Sequence, residues 1–388
     1  MKTQPMGHAS PPFNTSLGRQ WRIFDLFRTA TTPMLIRTGI AVAVAWIPLV
    51  IFCAARGGAA FLSFLTDYAS QSRFLIILPV LILAEPPLQK RHHLVANHFE
   101  NFIVPQEQRS QFQAAWLSHE KARYSKLGYF VLLLLTYATA AWLSQYLSPG
   151  GSEFVSWWIG GGGFKSFSPA GMWAFFVSYP IVGYFTLLWL WRQLLWARFL
   201  RSTSHLNLRL IAAHPDHLGG LGFLEAAMMG QLPFSFCMGV GLVGAVANRV
   251  LNEGYPLLTF RFWAPVLVAA ALLVCIAPYL LFTRTLMLMR RRGMLRYGAF
   301  AHAVGEQFER KWLHQTNSLK EDVLNVPDFS TTADLYGVVG NIDEIRVIPV
   351  ALVDLYAVII ATLIPAIPLL IASIPLSTLM RAAMKMLF

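Results

Sequence analysis

Seven apolar runs alternate with polar, basic loops along the chain: 34–54, 74–88, 127–147, 171–191, 221–247, 263–288 and 347–373. Most reach the roughly 20 residues an α-helix needs to cross about 30 Å of hydrocarbon. The pattern predicts an all-α polytopic transmembrane helical bundle of about seven spans. The second run is short and holds Glu85, so it spans by starting near Ser72 or with help from its neighbours. Pro365 and Pro368 interrupt the seventh, with Pro375 beyond, so that segment kinks or folds back.

The polar segments carry their own patterns. Residues 88–126 place Phe99, Phe102, Ile103, Phe112 and Trp116 at helical spacing, which predicts one or two amphipathic helices split near Pro105. In 289–346, Arg290, Arg291 and Arg292 lead into Leu295, Tyr297, Phe300, Ala303, Phe308 and Trp312 with no proline. That spacing predicts a helix over 290–313 that prolongs the sixth span. Residues 315–336 are turn-rich, with an N-cap expected near Ser330 or Thr331. Residues 1–33 form a basic amphipathic leader, with Trp21, Phe24 and Phe27 beside Arg19, Arg22 and Arg28, which suits a helix on the membrane surface rather than a cleaved signal. Residues 34–388 are read as a single transmembrane domain that includes segments 88–126 and 289–346. Between the third and fourth runs, Gly160 to Gly163 lie among Trp157, Trp158, Phe164 and Phe167. Aromatics beside a glycine run suit an interfacial loop, and a re-entrant loop is the alternative.

Composition sharpens this picture. The chain has 388 residues, of which 13% are charged, and a mean hydropathy of +0.51. A soluble domain carries about a quarter charged residues. With the N-terminus inside, the cytoplasmic segments 1–37, 88–126, 192–220 and 284–346 hold 5, 6, 4 and 9 Lys and Arg, or 24 of the chain's 31. The positive-inside rule then puts the N-terminus in the cytoplasm, and seven spans put the C-terminus outside. The net charge of +12 is therefore a topology signal, with attraction to membrane lipids secondary. No basic domain off the membrane is long enough to bind nucleic acid. Cys53, Cys237 and Cys275 all fall within runs, which implies neither a disulfide framework nor a CxxC motif.

Candidate chemistry collects at the inferred cytoplasmic face. Glu85, Glu225 and Asp354 are the carboxylates inside apolar runs, and Arg37 opens the first run. A charge at mid-membrane costs roughly 2.5–3.5 kcal/mol on insertion scales, so such groups face the bundle interior, pair, or line a wet cavity. They are expected to share a polar vestibule, with Arg37 as the counter-charge and the His214-Pro215-Asp216-His217 turn at its rim. Structural pairing and snorkelling are the competing reading. Asp216 is placed to N-cap the fifth span, with Gly219 and Gly220 allowing close packing. The string is similar to part of the His-x-His-x-Asp-His metal signature of metallo-β-lactamases, but position 212 is Ala and membrane runs flank it. His92, His93 and His98 cluster after the second run without His-box spacing. A composite of these with His214 and His217 is the one metal site to consider. The reading assigns no metal ligand and no cofactor.

The string His214-Pro215-Asp216, then Gly219-Gly220-Leu221-Gly222-Phe223-Leu224, recurs with Ala333-Asp334-Leu335 and Ile345-Arg346-Val347-Ile348-Pro349 ahead of a proline-broken apolar tail. Together these resemble a group of uncharacterised multi-pass membrane proteins of bacteria, over roughly the last 190 residues. The resemblance implies a bacterial inner-membrane location and no particular activity. Ile342-Asp343-Glu344-Ile345 departs from the more basic run of that group. Three functions compete. A channel or transporter for a small ion or polar solute, with homo-oligomeric assembly as one option, fits the intramembrane carboxylates and the kink-prone fifth span. An enzyme on a lipid or lipid-linked substrate would use the His-rich face. A membrane scaffold or sensor needs neither.

Overall fold

The computed structural model describes residues 34–146, 157–159, 167–313 and 328–373. The leader 1–33, the Gly160–Gly163 run and Pro375 lie outside the described residues. The chain is helical, and among the described residues no β-strand forms. In chain order the principal helices are α1 (Met34–Arg56), α2 (Tyr68–Ile103), α3 (Arg109–Arg123), α4 (Lys126–Tyr146), α5 (Pro169–Ser204), α6 (Leu224–Asn252), α7 (Leu257–Ile276), α8 (Thr283–Trp312), α9 (Asp328–Asp343), α10 (Leu352–Leu363) and α11 (Ala366–Ser373). Five of these, α1, α2, α5, α6 and α7, are long and apolar enough to cross a membrane, and six do if α10 and α11 are one span bent by 51°. The third run forms α4, whose shorter apolar part, Lys126–Trp142, lies antiparallel along α5. Trp191 packs by Gly128, Thr136 lies beside Gly183, and the Tyr137 hydroxyl bonds Phe176.

The spans differ from the sequence expectation in length more than in place. The short second run is part of a 36-residue helical stretch, because residues 88–103 continue it past Glu85. The break falls at Val104 and Pro105, as the proline requires, and α3 follows. Helix α8 covers 290–312 without interruption, but it does not prolong α7. Pro278 removes an amide, the chain takes a 3-10 turn over Tyr279–Phe282, and a new helix starts at Thr283. Helix α9 begins at Asp328, so Ser330 and Thr331 lie inside it rather than capping it. Phe308 and Trp312 of α8 pack on Phe329 of α9.

Prolines are frequent in these spans, and each frees the carbonyl four residues earlier. In hydrocarbon no water is present to bond such a group, so a neighbouring helix has to. Three cases are explicit. Pro48 frees Val44, whose oxygen takes the Trp173 indole N–H at 3.1 Å. Pro180 frees Phe176, whose oxygen takes the Tyr137 hydroxyl at 3.0 Å. Pro278 frees Val274, whose oxygen takes the Gln193 amide at 3.0 Å. The kinks that weaken individual helices thus become the polar joints between them. Just before Pro79 and Pro180 the ladder widens into π-turns, Arg73–Ile77 and Ala174–Ser178.

Two apolar cores stack along the bundle. One holds Phe99, Phe112, Trp116, Trp196, Phe199, Tyr279 and Phe282. The other holds Leu49, Phe64, Phe74, Leu78, Leu81, Trp157 and Trp189. Polar bonds sort the connections into two ends. At one end Asn248 and Trp157 both bond Asp67, and Asn252 bonds Thr66. At the other, Arg209 bonds Ile103, Arg198 bonds Ser118 and Arg346 bonds His217. The latter contains segments 88–126, 192–220, 284–313 and 328–346, and is the basic end.

Candidate functional site

The His214–Gly222 turn sits at the basic end and is built around one carboxylate. Asp216 accepts backbone amides from Leu218 at 2.8 Å, from Gly220 at 3.0 Å and from Gly222 at 2.9 Å. An Asp side chain can stand in for backbone in this way, which is why the residue favours turns over helix interiors. The tight winding needs positive φ at three positions: 52° at His217, 66° at Gly219 and 97° at Gly220. Glycine reaches that region without strain, whereas His217 bears it at a cost. Burial works against the charged Asp216, but the Leu218, Gly222 and Gly220 amides outweigh it and hold the carboxyl below its ordinary range. His214 Nδ1 lies 2.8 Å from Asp216 Oδ1. Asp216 therefore organises its own turn and does not cap α6, which starts at Leu224 with no side-chain cap.

Arg346, on the segment between α9 and α10, locks onto this turn. Its amide donates to His217 at 2.9 Å and its guanidinium to the Asp216 carbonyl at 3.4 Å. The same guanidinium lies 3.6 Å from Glu225, and His217 Nδ1 lies 3.7 Å from Glu344. Asp354, 3% exposed, accepts the Ala351 amide at 3.0 Å at the start of α10. Asp354, Arg346 and Asp216 all act on Glu225 electrostatically. The structure thus brings Glu225, Asp354 and the His214–His217 turn together, with Arg346 between them.

Glu85 belongs to a different cluster. It pairs with Arg192 of α5, and Arg123 of α3 lies 3.7 Å away. The three carboxylates expected to share one cavity thus fall into two separate clusters. The reason is helical register: Glu85 follows the Ala84 turn of α2 and faces the α3–α5 seam, whereas Glu225 opens α6 toward the Arg346 segment. Arg37 is buried at the start of α1, and the ion pairs of Glu85 and Glu225 run to other arginines. Arg192, Arg123 and Arg346 were not singled out from the sequence. Arg192 was detectable as a lone charge in Trp189-Leu190-Trp191-Arg192-Gln193-Leu194-Leu195-Trp196, just where the fourth run ends.

The histidines disperse into packing roles. His92 stacks on Trp196 with ring centroids 3.9 Å apart and planes 1° from parallel. His93 lies 3.9 Å from Glu120, and His98 packs on Phe223. His119 of α3 bonds the Leu195 carbonyl at 3.2 Å, and burial drives its imidazole down to about 4. Among the described residues, no group of three or more His, Cys, Asp and Glu is placed to hold a metal ion. The composite of His92, His93 or His98 with His214 and His217 does not form. No family model matches this chain, and it has no significant match to a curated protein or to a solved structure. What stands is a polytopic membrane protein with an all-α bundle.

Proposed function

We propose that this protein carries a small ion or polar solute across the membrane as a channel or transporter, with the Glu225–Arg346–Asp354 cluster as the vestibule at its cytoplasmic mouth. One observation carries the reading: the last apolar segment is broken where it packs against α6. Helices α10 and α11 meet at 51° around Pro365. A Cβ on Gly239 of α6 would run into the Thr362 carbonyl and the Pro365 ring, so α6 meets the break backbone to backbone. Irregular backbone at membrane depth survives only where it is buried in protein or lines a cavity, and discontinuous helices of this kind form ion and substrate sites in transporters. Asp354 heads the first half of the broken helix, one face of which leads from the charged cluster to the break. The charge asymmetry of the loops and the resemblance to bacterial multi-pass proteins support a bacterial inner membrane with the N-terminus inside.

The test is reconstitution into liposomes, with fluorescent readouts of K+, Na+, H+ and Cl− flux. Flux above empty liposomes is expected, reduced at least several-fold by Glu225→Gln and by Asp354→Asn. Gly239→Leu should abolish it by separating α6 from the break. Folded protein that passes none of the four ions, or flux indifferent to all three substitutions, counts against the reading.

A further inference from the structure

The surface of the bundle carries a groove whose shape and charge do not belong to the vestibule. It lies between α5 and α7, continues beside the 3-10 turn after Pro278, and has a volume of about 630 Å³. That is within the 300–1,000 Å³ typical of ligand clefts. Its α5 wall is the stripe from Leu190 through Leu194 and Ala197 to Arg201, at helical spacing of three and four. The opposite wall includes Leu273 and Ala277. Ala197 and Ala277 carry only methyl groups, and this leaves the space open. The one neutral polar side chain in the wall, Gln193, spends its amide on the carbonyl freed by Pro278, so the floor presents apolar surface.

The two ends of the groove differ in kind. The deep end is aliphatic, and its rims at Leu194 and Leu273 are 65% and 68% exposed. The shallow end, near the end of α5, carries Arg198 and Arg201. Arg198 is steadied by bonds to the Ser118 hydroxyl and carbonyl at 3.3 and 3.4 Å. Arg201 is exposed, and its guanidinium has no ion-pair partner among the described residues. Eleven residues separate Leu190 from Arg201, which is about 16 Å of helix. An apolar trough of that length ending in two cations on one helix face matches an acyl chain attached to an anionic phosphate.

We propose that this groove binds an anionic phospholipid, with one acyl chain lying between α5 and α7 and its phosphate held by Arg198 and Arg201. Arginine suits this end because its long stem lies along apolar surface while the planar head reaches the interface and bonds phosphate through two N–H groups. A second copy of the chain would have to set an acidic group against the same arginines. A zwitterionic lipid offers the same apolar contact and phosphate, but its own cation offsets the attraction to the arginines. The proposal does not depend on whether the protein conducts.

The experiment is native mass spectrometry of the detergent-solubilised full chain titrated with dioleoyl phosphatidylglycerol and, separately, with dioleoyl phosphatidylcholine. Preferential binding of the phosphatidylglycerol is expected. Arg201→Gln should weaken it roughly five-fold, the factor one arginine contributes toward an anionic lipid, and weaken phosphatidylcholine binding clearly less. Ala277→Trp should fill the groove and remove the bound lipid at unchanged oligomeric mass. If that variant does not fold, Arg201→Gln, which removes no described bond, decides alone. Equal binding of the two lipids, or an Arg201→Gln variant that binds phosphatidylglycerol as the parent does, overturns the proposal. So does a parent dimer that Ala277→Trp converts to monomer, since the groove is then filled by a second copy.

Discussion

The two ends of the bundle are each organised by an aspartate, and the two aspartates work in opposite ways. Asp67 caps α2 by accepting the Ser70 amide at 3.2 Å, and it also gathers side chains from far along the chain. Asn248 donates to it at 2.7 Å and the Trp157 indole at 3.3 Å. Asp216 accepts amides only from its own turn, and it is the carbonyl of that turn, with Arg346, that reaches across to the C-terminal segment. Asp67 is a joint between elements, whereas Asp216 is the frame of one loop. Charge follows the same division. The described histidines all lie at or near the basic end, along with Glu85, Glu225 and their arginines. Asp67 itself is bonded by the neutral donors Ser70, Asn248 and Trp157, and the charges at that end are few: Arg56 donates to the Trp157 carbonyl at 3.4 Å and Arg249 pairs with Glu253 at 3.1 Å. One end is joined mainly through a single aspartate, and the other gathers several ion pairs and the histidines.

The sharpest test of this division is accessibility. Cys53, Cys237 and Cys275 are buried, so single added cysteines can be read against a quiet background. In right-side-out vesicles, Gly254→Cys should react fully with an impermeant maleimide and Asn207→Cys not at all. Equal labelling would show that the two ends do not face opposite compartments.

Next in size is the cost of losing each aspartate. Asp67→Ala leaves Ser70, Asn248 and Trp157 without their acceptor and should cost about 3 kcal/mol, at roughly 1 kcal/mol per bond. Asp216→Ala should cost only about 1–2 kcal/mol, because water can reach the freed amides of a partly exposed turn. Unfolding in a single detergent measures both, and the reverse order would mean that the local turn is the stronger constraint. Gly220→Ala should cost about 1 kcal/mol from backbone strain alone, since φ is 97° there and the nearest atom to a new Cβ is 3.5 Å away. Gly254, at the other end with φ 73° and open space around it, should respond to the same change by the same amount.

The smallest expected effect is a pH dependence confined to the basic end. Buried His119 has its folded value near 4, below the roughly 6.5 of a free imidazole, so the neutral ring is stabilised by the fold. Its contribution is complete above about pH 6.5 and is lost progressively as the pH falls toward 4. Asp216 is held below the ordinary carboxylate value of about 3.9, so its contribution is present above that pH and disappears only in stronger acid. Hydrogen exchange at pH 7 and pH 5 should show α3 loosening while the residues around Asp67 stay protected. A His119→Gln variant should lose most of that difference.

The sequence alone located the apolar runs and the charge division of the loops, although of the seven expected spans only five helices, or six with the bent pair, are long and apolar enough to cross. The bilayer imposes both through composition and run length, and neither depends on which helix touches which. It also singled out the 214–222 string, but as a cap for the fifth span; that Asp216 frames a turn of its own is a finding of the structure. The sequence did not determine the partners. Glu85, Glu225 and Asp354 look equivalent along the chain, each a lone carboxylate in an apolar run. Helical register then turns Glu85 to Arg192 and Arg123, Glu225 to Arg346, and Asp354 to its own helix start. Nothing along the chain singles out Asp67, because two of its partners lie 90 and 181 positions away. In the same way, a proline shows where a carbonyl is freed, but only packing decides that Trp173, Tyr137 and Gln193 satisfy three of them. Apolar burial is non-directional and can be read from composition. Hydrogen bonds and ion pairs between helices require particular atoms within about 3 Å, and the tertiary structure alone sets that distance.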